Sequence, residues 1–423
     1  MLRSLLVSQF TLALAYQAQL RQDPQTCEAH NLLLIPPIQS CTLSEAPRDS
    51  ENNLSSEAPS PLNSWRSSGF CRGNRAQKFC VFSNPTFNHG EGVSVITTGK
   101  SMAAIAGRPA FLADGNGQGI LESESAPPYR EEEVKGKGIG LVATRTIQAG
   151  ELVMARTPGL MVNERAIDVL GKKAISELLT RAVDDLPRRH RENILNLSSH
   201  SSASDADDLI YKILQTNSFR TGRHDGVDPF YSLFTEVSRI NHACRPTCAY
   251  HFDYTKFFQK VLAVRDVEVG EELSIAYYDP LQTHATRQQK LQKEWGFQCT
   301  CERCSADASM IAESDSRVLQ IQRLWKELDD HSATSEATPE KAELLVSLYE
   351  REGLLGRINE AYYRAALEYI GVGDITNATK YAKLCVDHGL LFIGPGRPFI
   401  QNMQELIAAP TKHPKWKFRS RDT

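Results

Sequence analysis

Apolar residues change period along the chain, and the changes divide it. Over residues 78–153 they come in short runs set off by glycines: Phe79, Val81 and Phe82; Val93, Val95 and Ile96; Ile139, Leu141 and Val142; Leu152 and Val153. Short alternating runs after glycine turns predict β-strands. Over 165–214 the spacing lengthens to three and four. Ile167, Leu170, Ala174, Ile175, Leu178, Leu179, Ala182, Val183 and Leu186 mark the buried face of one helix that Pro187 ends. Two shorter helices are expected at Ile194 to Leu197 and Leu209 to Leu214. A strand ending in Ile275, Ala276, Tyr277 and Tyr278 follows. After Cys304 helical spacing holds over 318–328, 342–352, 357–370 and 375–388. The expected class is α+β: a β-rich domain with a helical insert, then an all-α domain.

Within the helical part, Tyr363, Ala366, Gly373, Asp374, Ala378, Tyr381 and Ala382 alternate small and large, as in the antiparallel pairs of tetratricopeptide-type units. Residues 410–423 are basic, with Trp416 and Phe418, and read as a solvated tail in preference to a peptide or nucleic-acid contact. Ser, Pro, Asn and Glu dominate 41–70, so 26–77 is expected to be a low-order arm. Residues 78–125 form an accessory β segment. There, the stretch from Gly90 to Thr98 is similar to that from Gly136 to Thr144, as two independent turn-strand units or as a duplicated hairpin. Residues 126–298 make the main domain, with its insert at 165–215; 299–305 is a cysteine-rich closure and 306–409 the helical domain. Glu131, Glu132 and Glu133 read as a solvated edge.

Composition narrows the functions. The 423 residues are 41% apolar and 23% charged, with a net charge of −3. No basic field argues for nucleic-acid binding, and a basic peptide suits the balance better. The first residues carry an arginine, an apolar run and an Ala13-x-Ala15 exit, the features of a secretory leader. Ser8, Gln9 and Thr11 dilute the run, which leaves a frayed or amphipathic leader (1–25) as the alternative. No other stretch has the length of a membrane span. Cys27, Cys41, Cys71 and Cys80 would form two bridges in an oxidising compartment, with three pairings open.

The densest chemistry lies between residues 236 and 304. Cys299, Cys301 and Cys304 are spaced C-x-C-x-x-C and supply three thiolates, and a tetrahedral structural Zn²⁺ wants a fourth. Cys244 is the candidate, with Cys248 as a rival more suited to a buried thiol. Taken alone, the cluster also fits a redox pair or chance.

Joined to Asn241-His242-Ala243-Cys244-Arg245-Pro246, to the strand ending at Tyr277 and to Lys137-Gly138-Ile139-Gly140-Leu141, the cluster becomes specific. In these motifs the chain resembles the SET-domain protein lysine methyltransferases with a post-SET zinc segment. In architecture it is similar to the SET- and MYND-domain proteins. The resemblance covers 129–304, and more loosely the helices to 409. It implies a β-rich SET fold with a pseudoknot through Asn241 and His242. It also implies S-adenosylmethionine held by Lys137, Gly138, Ile139, Gly140, Asn217, Asn241, His242 and Phe297. Tyr277 would be the catalytic tyrosine, with Tyr278 on the opposite face. Trp295 would wall a lysine channel with Tyr277, or pack in the core. The implied partner is a protein or peptide lysine, in a histone or another protein, and the implied compartment is the nucleus or cytoplasm.

Two departures bear on activity. Ala243 stands where the family motif has Ser, and Thr247 where it has Asn. The insert holds no cysteine, so the MYND zinc module is missing. A catalytically silent scaffold that binds a partner through its helices is the competing reading. Glu302 and Arg303 are expected to be exposed turn residues.

Overall fold

The computed structural model describes residues 64–112, 126–222, 228–332 and 334–420. The leader, Cys27 and Cys41 lie outside them. The strands are Arg66–Gly73 (β1), Lys78–Asn84 (β2), Val93–Thr97 (β3), Tyr129–Val134 (β4), Gly138–Ala143 (β5), Leu152–Arg156 (β6), Leu160–Asn163 (β7), Phe219–Thr221 (β8), Phe230–Leu233 (β9), Asn241–His242 (β10), Cys248–Asp253 (β11), Phe258–Ala263 (β12) and Glu272–Ile275 (β13). They form a six-stranded sheet in the order β1-β2-β3-β7-β9-β8, a four-stranded sheet β10-β13-β5-β4 and a three-stranded sheet β11-β12-β6. One apolar core joins all three, from Val93, Val95 and Met161 to Leu141, Leu273, Val261 and Ile275.

The low-order arm was expected to run to residue 77, but β1 already stands at Arg66. Its anchor is Trp65, which packs edge-on against Phe111 at 5.1 Å, in an aromatic group with Phe87 and Phe257. This contact with a ring distant in sequence outweighs the polar composition around it. In the β1–β2 ladder Cys71 lies opposite Cys80, and the two are disulfide-bonded. The strand after Gly92 joins β2 and β7, whereas that after Gly138 joins β4 and β13. The two similar stretches therefore occupy different sheets. β4, with its three glutamates, is an edge strand, paired only with β5.

Gly99–Ala106 (α1) follows β3. The insert holds Glu164–Val169 (α2), Lys172–Asp184 (α3), Arg188–Leu195 (α4) and Ala206–Asn217 (α5). The single helix expected from 167 to 186 is thus two. Leu170 is extended (ψ 143°) and Gly171 caps the next helix, so the apolar period continues across a break in the backbone. α3 lays Ile175, Leu178, Leu179, Ala182 and Val183 against β1, β2 and β3.

His284–Trp295 (α6) leads into the cysteine-rich segment and stops at Gly296, whose φ of +76° is the left-handed conformation that glycine takes most easily. Then come Ala308–Leu328 (α7), Pro339–Arg351 (α8), Asn359–Val372 (α9), Ile375–Phe392 (α10) and Pro398–Ala408 (α11). Successive helices pack on one another around Ala365, Ala366, Ala378 and Ala382, small side chains that let helix axes approach. The stretch expected to be a solvated tail is docked. The N–H groups of Lys417 and Arg419 donate to Ile370 O and Gly371 O at 3.0 Å each, and the Arg419 guanidinium pairs with buried Glu368. The two parts meet where Phe392 of α10 packs on Leu262 and Val264. No helix among the described residues is long and apolar enough to cross a membrane.

Candidate active site

The site starts from a short parallel pairing. β10 lies beside β13, with Asn241 opposite Ser274 and His242 opposite Ile275. Beyond it, Ala243 N–H donates to Ile275 O at 3.1 Å. Thr247 fastens the other flank: its N–H donates to Ser274 Oγ at 3.1 Å, and Ser274 N–H donates to Thr247 Oγ1 at 2.8 Å. Residues 241–247 are thereby held along the strand that leads into Tyr277. The Thr247 hydroxyl that replaces the family's asparagine is buried and bonded.

Tyr277 is tied at both ends to that segment. Its N–H donates to His242 Nδ1 and its phenol to Ile240 O, each at 3.1 Å. Burial, and then the Glu272 carboxylate nearby, hold its pKa well above the usual phenol value. It is therefore a neutral hydrogen-bond donor at neutral pH. A cavity of about 50 Å³ opens beside it, lined by Asn217, Phe219, Ile240, Tyr250 and Trp295 among others. The Phe219 and Tyr250 rings meet edge to face at 5.1 Å, and the Trp295 ring lies 5.5 Å from Tyr277. Trp295 is oriented by its Nε1–H, which donates to Thr216 O at 3.2 Å. Tyr278 goes elsewhere: it stacks on His242 at 5.6 Å, in the packing shell of the cysteines. A smaller void of about 10 Å³, lined by Ile105, Met161, Phe230 and Phe252, is a gap in the apolar core.

On the other side of Asn241, charge and amide groups converge. Lys137 is ion-paired with Glu272, and Glu272 Oε1 accepts from Asn241 Nδ2 at 3.0 Å. A Cβ at Gly140 would fall 2.7 Å from Asn241 Nδ2 and 2.8 Å from Val134 Cγ2, so both side chains would have to shift. Gly138 has φ +77° with nothing within 4 Å of where a Cβ would stand, and Ile139 beside it is 43% exposed. Phe297 is half-buried, its ring 6.5 Å from Tyr277 and 6.3 Å from His242.

Two residues implied by the resemblance have side-chain atoms engaged within the chain. The His242 ring is buried with both nitrogens engaged, Nδ1 by Tyr277 and Nε2 by Cys244 Sγ at 3.5 Å. Burial pulls its pKa down to about 4. Asn217 lines the cavity, but its amide nitrogen is spent on Ser198 O (2.7 Å) and Ile213 O (2.8 Å). That leaves its oxygen for any ligand.

The sulfurs of Cys244, Cys299, Cys301 and Cys304 lie within 4.8 Å of one another, Cys244 and Cys304 at 3.5 Å. A tetrahedron of Zn–S bonds of about 2.3 Å has sulfur-to-sulfur edges of about 3.8 Å, so the cluster is consistent with zinc. Without a cation the thiols could not all ionise. Contacts with Cys299, Cys301 and Cys304 push Cys244 far up, while hydrogen bonds from Cys244, Cys299 and Cys304 hold Cys301 far down. Cys248 stands outside the cluster, its thiol pushed up to about 11 by burial.

Sequence reasoning passed over Arg287. Its side chain is 1% exposed, with Nη1 on Gln282 O at 2.7 Å and Nη2 3.9 Å from Cys304 Sγ. α6 buries only Arg287 and Leu291, one turn apart, and so reads as a solvated helix. Arg303 was misread as exposed: it is 5% exposed and ion-paired with Glu352 of the helical part. Glu302 is exposed, as expected.

Residues 138–278 match the family model described as the SET domain. The chain carries a SET domain. The human histone-lysine N-methyltransferase SMYD3 is 32% identical over 146 residues, which is 34% of this chain and 33% of that protein. The mouse SMYD3 is 30% identical over the same shares. The histone-lysine N-methyltransferase set5 of Schizosaccharomyces pombe is 27% identical over 194 residues, 46% of this chain and 56% of that protein. The chain thus spans about a third of the mammalian relatives' length and about half of the yeast one's. Its SET domain places the Asn-His segment, the Tyr277 strand and the glycine motif in one four-stranded sheet, with the cysteine cluster closing its end.

Proposed function

We propose that the chain is a protein-lysine N-methyltransferase that uses S-adenosylmethionine and is closed by a structural Zn²⁺ on Cys244, Cys299, Cys301 and Cys304. The observation that carries this is Tyr277, tied through N–H and phenol to 240–242 at the wall of an aromatic cavity. Beside it, Lys137, Glu272 and Asn241 offer a cation, a carboxylate and an amide. That donor set matches the carboxylate and ammonium of the cofactor's amino-acid end. Gly138 and Gly140 keep side chains off the approach, Ile139 and Phe297 supply apolar contact, and the oxygen of Asn217 and the backbone of His242 complete the cofactor residues.

When bound, the cofactor supplies an electrophilic methyl on a sulfonium. The chain's own residues have the harder task of presenting a neutral amine. A lysine has a reference pKa of about 10.4; enclosure among Phe219, Tyr250, Trp295 and Tyr277 disfavours its charged form. The enclosed neutral amine would offer its lone pair to the methyl that the cofactor would supply, and the ammonium so formed would lose its proton to solvent. Protonated Tyr277 orients the amine and does not act as a base. The substrate class is a protein lysine, in a histone or another protein.

Isothermal titration of S-adenosylmethionine into the zinc-loaded full chain tests the reading. One-to-one binding is expected. No binding by a folded, zinc-loaded chain would overturn it.

A further inference from the structure

Among the described residues, His242 hydrogen-bonds both the cysteine cluster and the backbone of Tyr277. Its chemistry there follows from the Tyr277 bond. The Tyr277 N–H can only donate, so Nδ1 must be a bare acceptor. A neutral imidazole then carries its proton on Nε2. That proton points at Cys244 Sγ, 3.5 Å away. The ring is 4% exposed, and Tyr277, Tyr278 and Phe297 lie 5.3, 5.6 and 6.3 Å from it, so it has little freedom to turn. The phenol of Tyr277 returns to Ile240 O, two residues before His242, so the loop from Cys244 to Tyr277 and back is closed by hydrogen bonds.

We infer that His242 is a positioning residue that couples the metal centre to Tyr277: it donates through Nε2 to the Cys244 thiolate and accepts through Nδ1 from the Tyr277 backbone. The inference rests on the reading of the four cysteines as a zinc site. Four thiolates around one Zn²⁺ leave a net charge of −2, and a buried cluster of that charge is stabilised by N–H donors to sulfur. The His242 Nε2–H is one such donor, and the Arg287 guanidinium at Cys304 is another. Loss of the metal takes the thiolate acceptor away from Nε2–H, so the ring that receives the Tyr277 N–H has one anchor fewer. Metal occupancy thereby sets the placement of the catalytic tyrosine through one side chain.

The two functions of the ring can be separated. An asparagine at 242 puts its side-chain oxygen near the place of Nδ1 but has nothing at Nε2, whereas a glutamine puts an N–H near Nε2 but has no acceptor at Nδ1. In the zinc-loaded full chain, His242→Asn should release zinc to a chromogenic chelator about ten times faster or more and keep the Tyr277 amide protected from hydrogen exchange. His242→Gln should hold zinc within about twofold of the wild type and lose that protection by about tenfold. In the cobalt-substituted protein, the sulfur-to-metal charge-transfer band should shift for Asn and stay for Gln. A general loss of packing would move all readouts together in both variants, and that result would overturn the inference. Should either variant fail to fold, nitrogen-15 NMR of the wild type decides, since a proton on Nδ1 overturns the inference and one on Nε2 supports it. Zinc content of the wild type tests the metal reading by itself.

Discussion

Arg303 of the cysteine-rich segment and Glu352, at the end of α8, form an ion pair with side chains 3% and 0% exposed. Arg317 Nε also reaches Glu352 Oε1 at 2.5 Å, and Ser314 Oγ donates to Oε2 at 3.0 Å. The residue before Cys304 is therefore anchored in the helical part. Taking Glu352 away leaves buried Arg303, and with it the partly exposed Arg317 and Arg245, without their shared carboxylate. Glu352→Ala should lower unfolding free energy by about 3–5 kcal/mol, read by chemical denaturation of the zinc-loaded chain. A loss below about 1 kcal/mol would show that the helical part does not brace this segment.

The cysteine cluster predicts about one zinc per chain. Cys244→Ser should lower that content and weaken binding of S-adenosylmethionine, because Cys244 is two residues from His242 and three from Asn241. Metal analysis and titration on the same preparation check this. Full zinc content and unchanged affinity would mean that Cys244 is not the fourth ligand.

Gly140→Ala places a methyl against Asn241 Nδ2 and Val134 Cγ2. Overpacking of this kind typically costs about 1–3 kcal/mol, and relief by moving Asn241 breaks its bond to Glu272. Cofactor affinity should fall by about tenfold or more, with secondary structure kept. Unchanged affinity would place the cofactor's amino-acid end elsewhere.

Most of this site was legible because its parts sit in contiguous motifs. Lys137 to Gly140, Asn241 to Cys244, Tyr277 and the C-x-C-x-x-C spacing each declare themselves by residue type, and the fold only has to bring them together. What stayed hidden depends on partners distant in sequence. Arg303 looks like a turn residue until Glu352 is seen opposite it, and Arg287 looks solvated because α6 offers one apolar neighbour. Trp65 and β1 were lost in polar composition, since the rings of Phe87, Phe111 and Phe257 that order them come later. The break at Gly171 was invisible because the apolar period runs through it unchanged.

His251 on β11 is buried and His388 on α10 half-buried, and both are neutral, desolvation pulling each down to about 4. Lys260 and Arg397 lower His251 further, and Asp253 opposes them. The unfolded value is about 6.5, so between pH 6.5 and 4 the unfolded chain binds more protons than the folded one. Stability is full above that window and falls as pH drops through it, by up to about 3 kcal/mol per histidine. Denaturation at pH 7 and pH 5 should show a smaller difference for His251→Gln than for the wild type. Equal differences would contradict the burial argument, and the comparison cancels any loss of zinc common to both.

The central claim is methyl transfer organised by Tyr277. The direct measurement is transfer of a labelled methyl from S-adenosylmethionine to histones and to a protein lysate by the zinc-loaded full chain, with mass spectrometry of the modified residue, for the wild type and Tyr277→Phe. The account predicts methyllysine with the wild type and about a hundredfold slower transfer with the variant. No methyllysine from a chain that binds zinc and cofactor, or equal rates for the two, would contradict it.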